Sequence, residues 1–431
     1  MMKRLVSFAF VAAIAAALVS APLRAHAESE VSAESLPVRP VTFLQIDLRA
    51  GLDRQPESEN GIAALDARLL ARTPVEVSGL SLPLEDAIRS EGGALNIHVH
   101  DDRVAIELAG LPDAMPRLVT VLATAMNAPD FSLTAVTAAR KALLARIAER
   151  QQNNWELATE MLRRSLARSG NLAMPRDGTP FSVQHLSIAQ ARAFYLWHYR
   201  RGDIARTIVG ERAPGLDAAL ARVAEALPGG RSPSVSSPAL VLDAATLVLR
   251  TTRPTLSTMI VASFLAPKPT SADFPAMLVE ATLMKRILAE TAGLPKGLDA
   301  FYLSRSYGAR YRSLAGRPQL LLYASGAVGR PDQLIGGALA LSQMIGSGKL
   351  HGSIDRLKSQ AIGDFARQES DPRARLRLLR LFREAGGTGD PVAKTIAAIA
   401  NVTPADLARV AKRYLVHPTI AVVQGSDGSG S

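Results

Sequence analysis

The sequence predicts an α+β protein of two similar sandwich halves. One pattern occurs twice, a breaker-rich segment separates the copies, and strand-like and helix-like periodicities alternate within each half. The repeated pattern is a Ser or Thr in capping position, an amphipathic helix ending near a tyrosine, and a short apolar strand closing at glycine. Its first copy covers residues 187–210, with Phe194, Tyr199 and the strand Thr207-Ile-Val209; its second covers 403–425, with Val410, Tyr414 and Ile420-Ala-Val-Val423. Copies about 215 residues apart, each closing half of the chain, point to duplication. Between them, Ala226-Leu-Pro-Gly-Gly-Arg-Ser-Pro-Ser-Val-Ser-Ser-Pro238 reads as an exposed linker. Strand-like stretches at 42–48, 103–108, 246–250 and 319–325 are interleaved with helical ones such as 114–126, the pattern of sheets with helices on one face.

The chain begins with a basic start (Lys3, Arg4), an apolar run over 5–21, and Ala25-His26-Ala27 before an acidic stretch. This pattern predicts a secretory signal over 1–27, cleaved after Ala27, and an exported, periplasmic protein with no stable membrane insertion. Removing 27 of the 431 residues leaves 404, enough for two domains of about 200 residues. The expected organisation is a first domain over 38–213, a linker over 214–238, a second domain over 239–425 and a tail over 426–431. Loss of Lys3, Arg4 and Arg24 lowers the formal charge from +11 to +8. The excess arginine is spread along helices and suits an acidic partner; the export signal and low aromatic content disfavour nucleic acid. A chain with no cysteine has no disulfides, so its apolar core alone must hold it together.

The most informative segment is 61–73, Gly-Ile-Ala-Ala-Leu-Asp-Ala-Arg-Leu-Leu-Ala-Arg-Thr. It resembles the active-site helix of an inverted zincin, in which His-x-x-Glu-His sets two imidazoles and a catalytic carboxylate on one helical face. The corresponding positions here are Ala64, Ala67 and Arg68, and none can bind or activate anything. Downstream, Gly79-Leu-Ser-Leu-Pro-Leu-Glu-Asp-Ala-Ile-Arg-Ser-Glu-Gly-Gly-Ala-Leu-Asn96, a strand pair through Asp101-Asp102, Pro129-Asp-Phe131 and a helix over 134–151 follow in order. The chain from about 41 to 425 thereby resembles the insulinase/pitrilysin family, which includes mitochondrial processing peptidase. The resemblance implies two mostly antiparallel sheets backed by helices, of the LuxS and processing-peptidase type, clamping a cavity. It also implies a third zinc ligand, a glutamate, at the position that Arg146 occupies. Nearby carboxylates or solvent are expected to neutralise Arg68 and Arg146.

Other candidates are weaker. His98 and His100, two apart on a strand, could face one side, but no third ligand accompanies them and they read as ordinary strand histidines. His185, His198, His351 and His417 are isolated, and Gly346-Ser-Gly-Lys349 is too short for a phosphate loop. Active family members hold substrate backbone with an Arg and a Tyr seven residues apart. Tyr307 resembles that tyrosine, Ala300 stands at the arginine's place, and Arg305 is the available substitute.

A protease scaffold without its protease site implies partnership. The expectation is a non-catalytic subunit of a periplasmic zinc-metallopeptidase heterodimer, with zinc only in a catalytically active partner of the same family and a peptide or unfolded protein as substrate. The alternative is a peptide-binding or structural envelope protein without a protease partner.

Overall fold

A computed structural model describes residues 41–167, 170–233, 245–255, 257–289, 306–314, 317–327, 340 and 354–426. The expected signal over 1–27, Arg305, the 346–349 loop and the tail from 427 onward lie outside the described residues. Among those described, no helix is long and apolar enough to cross a membrane.

The first half runs β1 (Thr42–Leu48), α1 (Ile62–Arg72), the small hairpin β2 (Pro74–Val77) and β3 (Leu80–Pro83), α2 (Leu84–Ser90), β4 (Ala94–Val99) and β5 (Val104–Gly110). It continues through α3 (Met115–Asn127), α4 (Leu133–Gln152), α5 (Asn154–Ala167), α6 (Pro180–His185), α7 (Ile188–His198), β6 (Ala205–Val209) and α8 (Leu216–Glu225). The second half runs β7 (Leu247–Arg253), β8 (Ser257–Leu265), α9 (Phe274–Ala289), β9 (Ser306–Leu314), β10 (Arg317–Ala327) and α10 (Ile354–Glu369). It closes with α11 (Pro372–Glu384), α12 (Val392–Ala400), α13 (Pro404–Tyr414) and β11 (Thr419–Gly425).

The two main sheets share one plan. The first has the order β4-β5-β1-β6, with every pairing antiparallel. The second has the order β7-β11-β8-β10-β9, antiparallel except where β7 joins β11. In each half the last strand enters beside the first long one, delivered by a helix whose start is fixed by a capping box: Ser187 with Gln190 before α7, Thr403 with Asp406 before α13. Reciprocal caps satisfy backbone N–H groups that have no intrahelical partner. The chain is thus an α+β protein with antiparallel sheets, as its periodicities predict.

One face of each sheet packs on the helices of its own half. In the first, Leu44, Ile46 and Leu48 of β1 meet the apolar faces of α1, α3 and α7. In the second, Ile260, Ala262 and Phe264 of β8 meet α9 and α13. The other face is covered as well, by a helix from the opposite half. Ala158, Leu162 and Leu166 of α5 recur at helical spacing and pack on Met259, Val261, Ala421 and Val423 of the second sheet. Reciprocally, α11 crosses β1 and β6 of the first sheet. Sequence periodicity identifies α5 as amphipathic but leaves open which sheet its apolar stripe covers.

The two exchanged contacts differ in chemistry. Beneath α5 the surface is apolar; beneath α11 it is polar and charged. Gln45 Nε2 donates to Asp47 Oδ1 at 2.6 Å, and Asp47 Oδ2 accepts from Arg383 Nη2 at 3.0 Å. Arg383 Nη1 also donates to the Arg206 carbonyl and to Thr207 Oγ1, both at 2.8 Å. Arg103 stands 3.8 Å from Asp47 and pairs with Asp102 at 2.9 Å and with Glu384 of α11. Burial raises the Asp47 pKa against the pull of Arg103, Gln45 and Arg383. It raises that of Glu384 to about 7, opposed by Arg103 and assisted by Asp102 and Asp47.

Leu162 is fully buried in the seam under α5. Leu162→Ala should lower unfolding free energy by about 2–5 kcal/mol in a urea titration; a change within ordinary surface-mutant scatter would show that α5 is not anchored there. The elevated Glu384 pKa means the folded state holds a proton the unfolded chain releases at its ordinary value of 4.5. Its contribution is present below that value and disappears as pH rises through 7. Comparing thermal midpoints from pH 4 to 8, Glu384→Gln should gain on the parent as pH rises, and parallel curves would refute the assignment.

Candidate functional site

The start of α1 is fixed by backbone contacts that require glycine. Gly61 has φ 99°, and a Cβ there would stand 2.9 Å from Val183 Cγ2 and 3.0 Å from the Asp177 carbonyl. Gly178 approaches from the other side with φ 82°, and Asn60 Nδ2 donates to the Pro175 carbonyl at 2.9 Å. The loop carrying Asp177 is therefore tied to the beginning of α1. It is held from behind by Arg163, fully buried, which donates to the carbonyls of Leu172 and Met174 and pairs with Glu160 at 2.5 Å.

Within α1 only Arg68 and Arg72 reach solvent; the other residues are buried. Ala64 and Ala67 present methyl groups, 4% and 5% exposed, where the family helix would carry an imidazole and a carboxylate. Asp66, between them, is buried with neither carboxylate oxygen hydrogen-bonded, and burial, then the charge of Glu59, raises its pKa well above the ordinary range. It faces the core near Tyr199, whose hydroxyl likewise has no partner among the described residues.

Arg68 and Arg146 stand on the packed helices α1 and α4, near enough for the charge of one to act on the other. The Arg68 pKa is lowered, first by burial and then by the charge of Arg146, against Asp177 and Glu85. Arg146 Nε stands 3.7 Å from Asp177 Oδ2, while Arg150 Nη1 holds the same oxygen at 2.6 Å and its Nε binds Glu156 at 2.8 Å. Burial opposes the charge of Arg150, but Asp177 and Glu156 outweigh it and raise the pKa. One carboxylate thus serves two guanidiniums and is nearer to Arg150. These residues do not fit zinc: two methyls and two cations replace every donor, and among the described residues no group of three or more His, Asp or Glu side chains is placed to hold a metal.

His98 lies on β4, the edge strand that packs against α1. Its pKa is lowered by burial against Glu107, with Arg146, Arg68 and Arg373 adding to the effect. His100 follows it, ring centroids 6.4 Å apart, and is lowered well below its ordinary value by burial, Arg103 and Arg176. Burial thus disfavours the charged form of both rings. A cavity of about 1600 Å³ is lined by His100 and Arg176 from the first half and by Tyr307, Arg310 and Arg312 from the second. Tyr307 sits on edge strand β9 opposite Ala324 and shares the strand face of Ala309 and Tyr311, which pack on the helix layer. Arg310 and Arg312 alternate onto the other face, where Arg310 lies 5.7 Å from the Trp155 ring. Sequence inspection missed Asp177, whose role depends on a glycine contact with a helix more than 100 residues earlier.

The chain should retain no stoichiometric zinc after dialysis. Ala64→His with Ala67→Glu and Arg68→His should still yield no zinc-dependent proteolysis while Arg146 remains. Activity in that triple variant, measured on a peptide library with and without chelator, would put the third ligand elsewhere.

The family model described as Insulinase (Peptidase family M16) matches residues 31–179. No curated protein matches the sequence significantly. Among solved structures, the inactive domain of an M16 peptidase from Pseudomonas fluorescens is similar at 17% identity and TM-score 0.70, covering 90% of this chain and 93% of its own. A protease from Helicobacter pylori is similar at 13% identity and TM-score 0.71, covering 89% and 94%. A chain of complex III2 from Candida albicans is similar at 15% identity and TM-score 0.69, covering 90% and 92%. At such identities the structural likeness establishes the fold alone, and the family model covers the segment that holds α1. Residues 31–179 match the insulinase family model, the described residues have the fold of the M16 inactive domain, and no group of three or more His, Asp or Glu placed to hold a metal is found among them.

Proposed function

We propose that this chain is the non-catalytic subunit of a periplasmic zinc-metallopeptidase heterodimer, completing the chamber and helping to hold peptide for an active partner of the same family. The observation that carries the proposal is an intact edge strand beside an emptied helix. Among the described residues β4 has a neighbour on one side only, so its outer N–H and C=O groups can pair with an extended peptide. The α1 helix behind it keeps its place while Ala64, Ala67 and Arg68 supply no chemistry. Binding by main-chain pairing needs no metal in this chain, and zinc would belong to the partner. The P. fluorescens relative, an inactive domain, and the C. albicans chain, part of complex III2, are precedents for this fold in a non-catalytic or assembled setting. Export to the periplasm rests on the basic and apolar pattern of residues 1–27.

Co-expression with an exported relative bearing intact His-x-x-Glu-His should give a co-eluting complex whose peptide turnover exceeds the partner's alone severalfold. Its interface should exceed the ~1,600 Å² of a standard complex, since subunits would meet along both halves. Tyr307→Ala should reduce turnover without dissociating the complex. Separate elution with unchanged partner turnover would replace the heterodimer with a peptide-binding protein that works alone.

A further inference from the structure

Arg68 and Arg146 make no hydrogen bond within the described residues, although each guanidinium carries five N–H donors. Arg68 has no ion pair there, and the contact of Arg146 with Asp177, at 3.7 Å, is longer than a hydrogen bond. The Asp177 carboxylate is already engaged by Arg150 at 2.6 Å. Glu85 and Glu107 are the other acids whose fields reach this group, Glu85 acting on Arg68 and Glu107 on His98. Two like charges are thus held together at a half-buried surface with spare donors and little compensation. Such a pair is stabilised by an incoming anion, and a planar carboxylate suits guanidinium forks.

The location selects the anion's carrier. Arg68 projects from the helix that packs on β4, and α4, which carries Arg146, packs on that same helix. An extended peptide added to the free side of β4 would direct alternate side chains toward the arginines, because strand side chains alternate with a period of two. His98 supplies a further polar atom on β4. We propose that Arg68 and Arg146 form an anion-binding notch beside β4 that takes the carboxylate of an acidic residue in an extended peptide. The proposal rests on the peptide-binding part of the function proposed above and adds a substrate class to it.

The test uses the whole chain and two fluorescein-labelled, unstructured dodecapeptides, one with Glu at alternate positions and a twin with Gln there, followed by fluorescence anisotropy at low salt. The Glu peptide should bind roughly tenfold more tightly or better, the scale of hydrogen bonds to charged groups. Arg68→Gln with Arg146→Gln should abolish that advantage while leaving the affinity for the Gln twin unchanged. A control removing exposed charge elsewhere, Arg117→Gln with Arg222→Gln, should keep the advantage; equal loss there would reduce the effect to net charge and overturn the notch. Equal binding of the two peptides by the parent chain overturns the notch and leaves the peptide reading standing, a result independent of whether any variant folds. Competition by millimolar inorganic phosphate without a Glu preference also overturns it, leaving a site for free anions. Binding of neither peptide overturns both.

Discussion

Each of the two sheets has two faces to cover, and each half supplies helices for only one of its own. The remaining faces are closed by exchange, α5 lying on β8 and β11 while α11 lies on β1 and β6. Nothing else in the molecule can be placed until this is satisfied. The exchange fixes where the α4–α5 turn runs, and with it the bracket of Arg150, Asp177 and Arg163 that supports the start of α1. It also draws the 99–103 turn against α11, where Arg103 meets Asp47 and Glu384. Among the described residues the outer edge of β4 has no strand neighbour, and both covering helices lie over sheet faces rather than sheet edges.

The buried face of α1 carries methyl groups at Ala64 and Ala67, and the charge beside it is on Arg68 and Arg146. A zinc helix concentrates donors around a dication; here the cations are part of the chain. Two guanidiniums are farther apart and better solvated than charge concentrated on one metal ion, so a single shared carboxylate at Asp177 and a partly open surface suffice to tolerate them. Ala64 and Ala67 are small enough to be covered where α1 packs on its neighbours.

Much of the architecture was legible in the sequence because it is written in short periods. The strand over 42–48 appears at the expected residues, the helix expected over 134–151 runs Leu133–Gln152, and the two capped helices before β6 and β11 have the same local chemistry. The strand expected over 103–108 begins at Val104 and extends to Gly110, since its pairing with β1 continues to Thr42. What was not legible is relational. No local pattern says that the stripe of α5 belongs to the other half's sheet, or that Asp177 returns to Gly61. The strand face of Tyr307 follows from its register against β10, which single-residue spacing does not specify. Asp66 illustrates another limit, since nothing in the local pattern marks this acid as buried, and it is.

The unequal chemistry of the two covered faces has a consequence for how the polypeptide emerges during synthesis. The first sheet can form well before residues 372–384 exist, and the face awaiting them carries Gln45, Asp47 and Thr207, groups that water solvates at no loss. The second sheet's waiting face carries Met259, Val261, Ala421 and Val423, which would invite aggregation if left bare. Its cover, α5, has by then already left the ribosome. The order of the halves along the chain therefore leaves the narrow apolar stripe of α5, rather than the broader sheet face, to wait uncovered during synthesis, and a circular permutant beginning at the second half would reverse that.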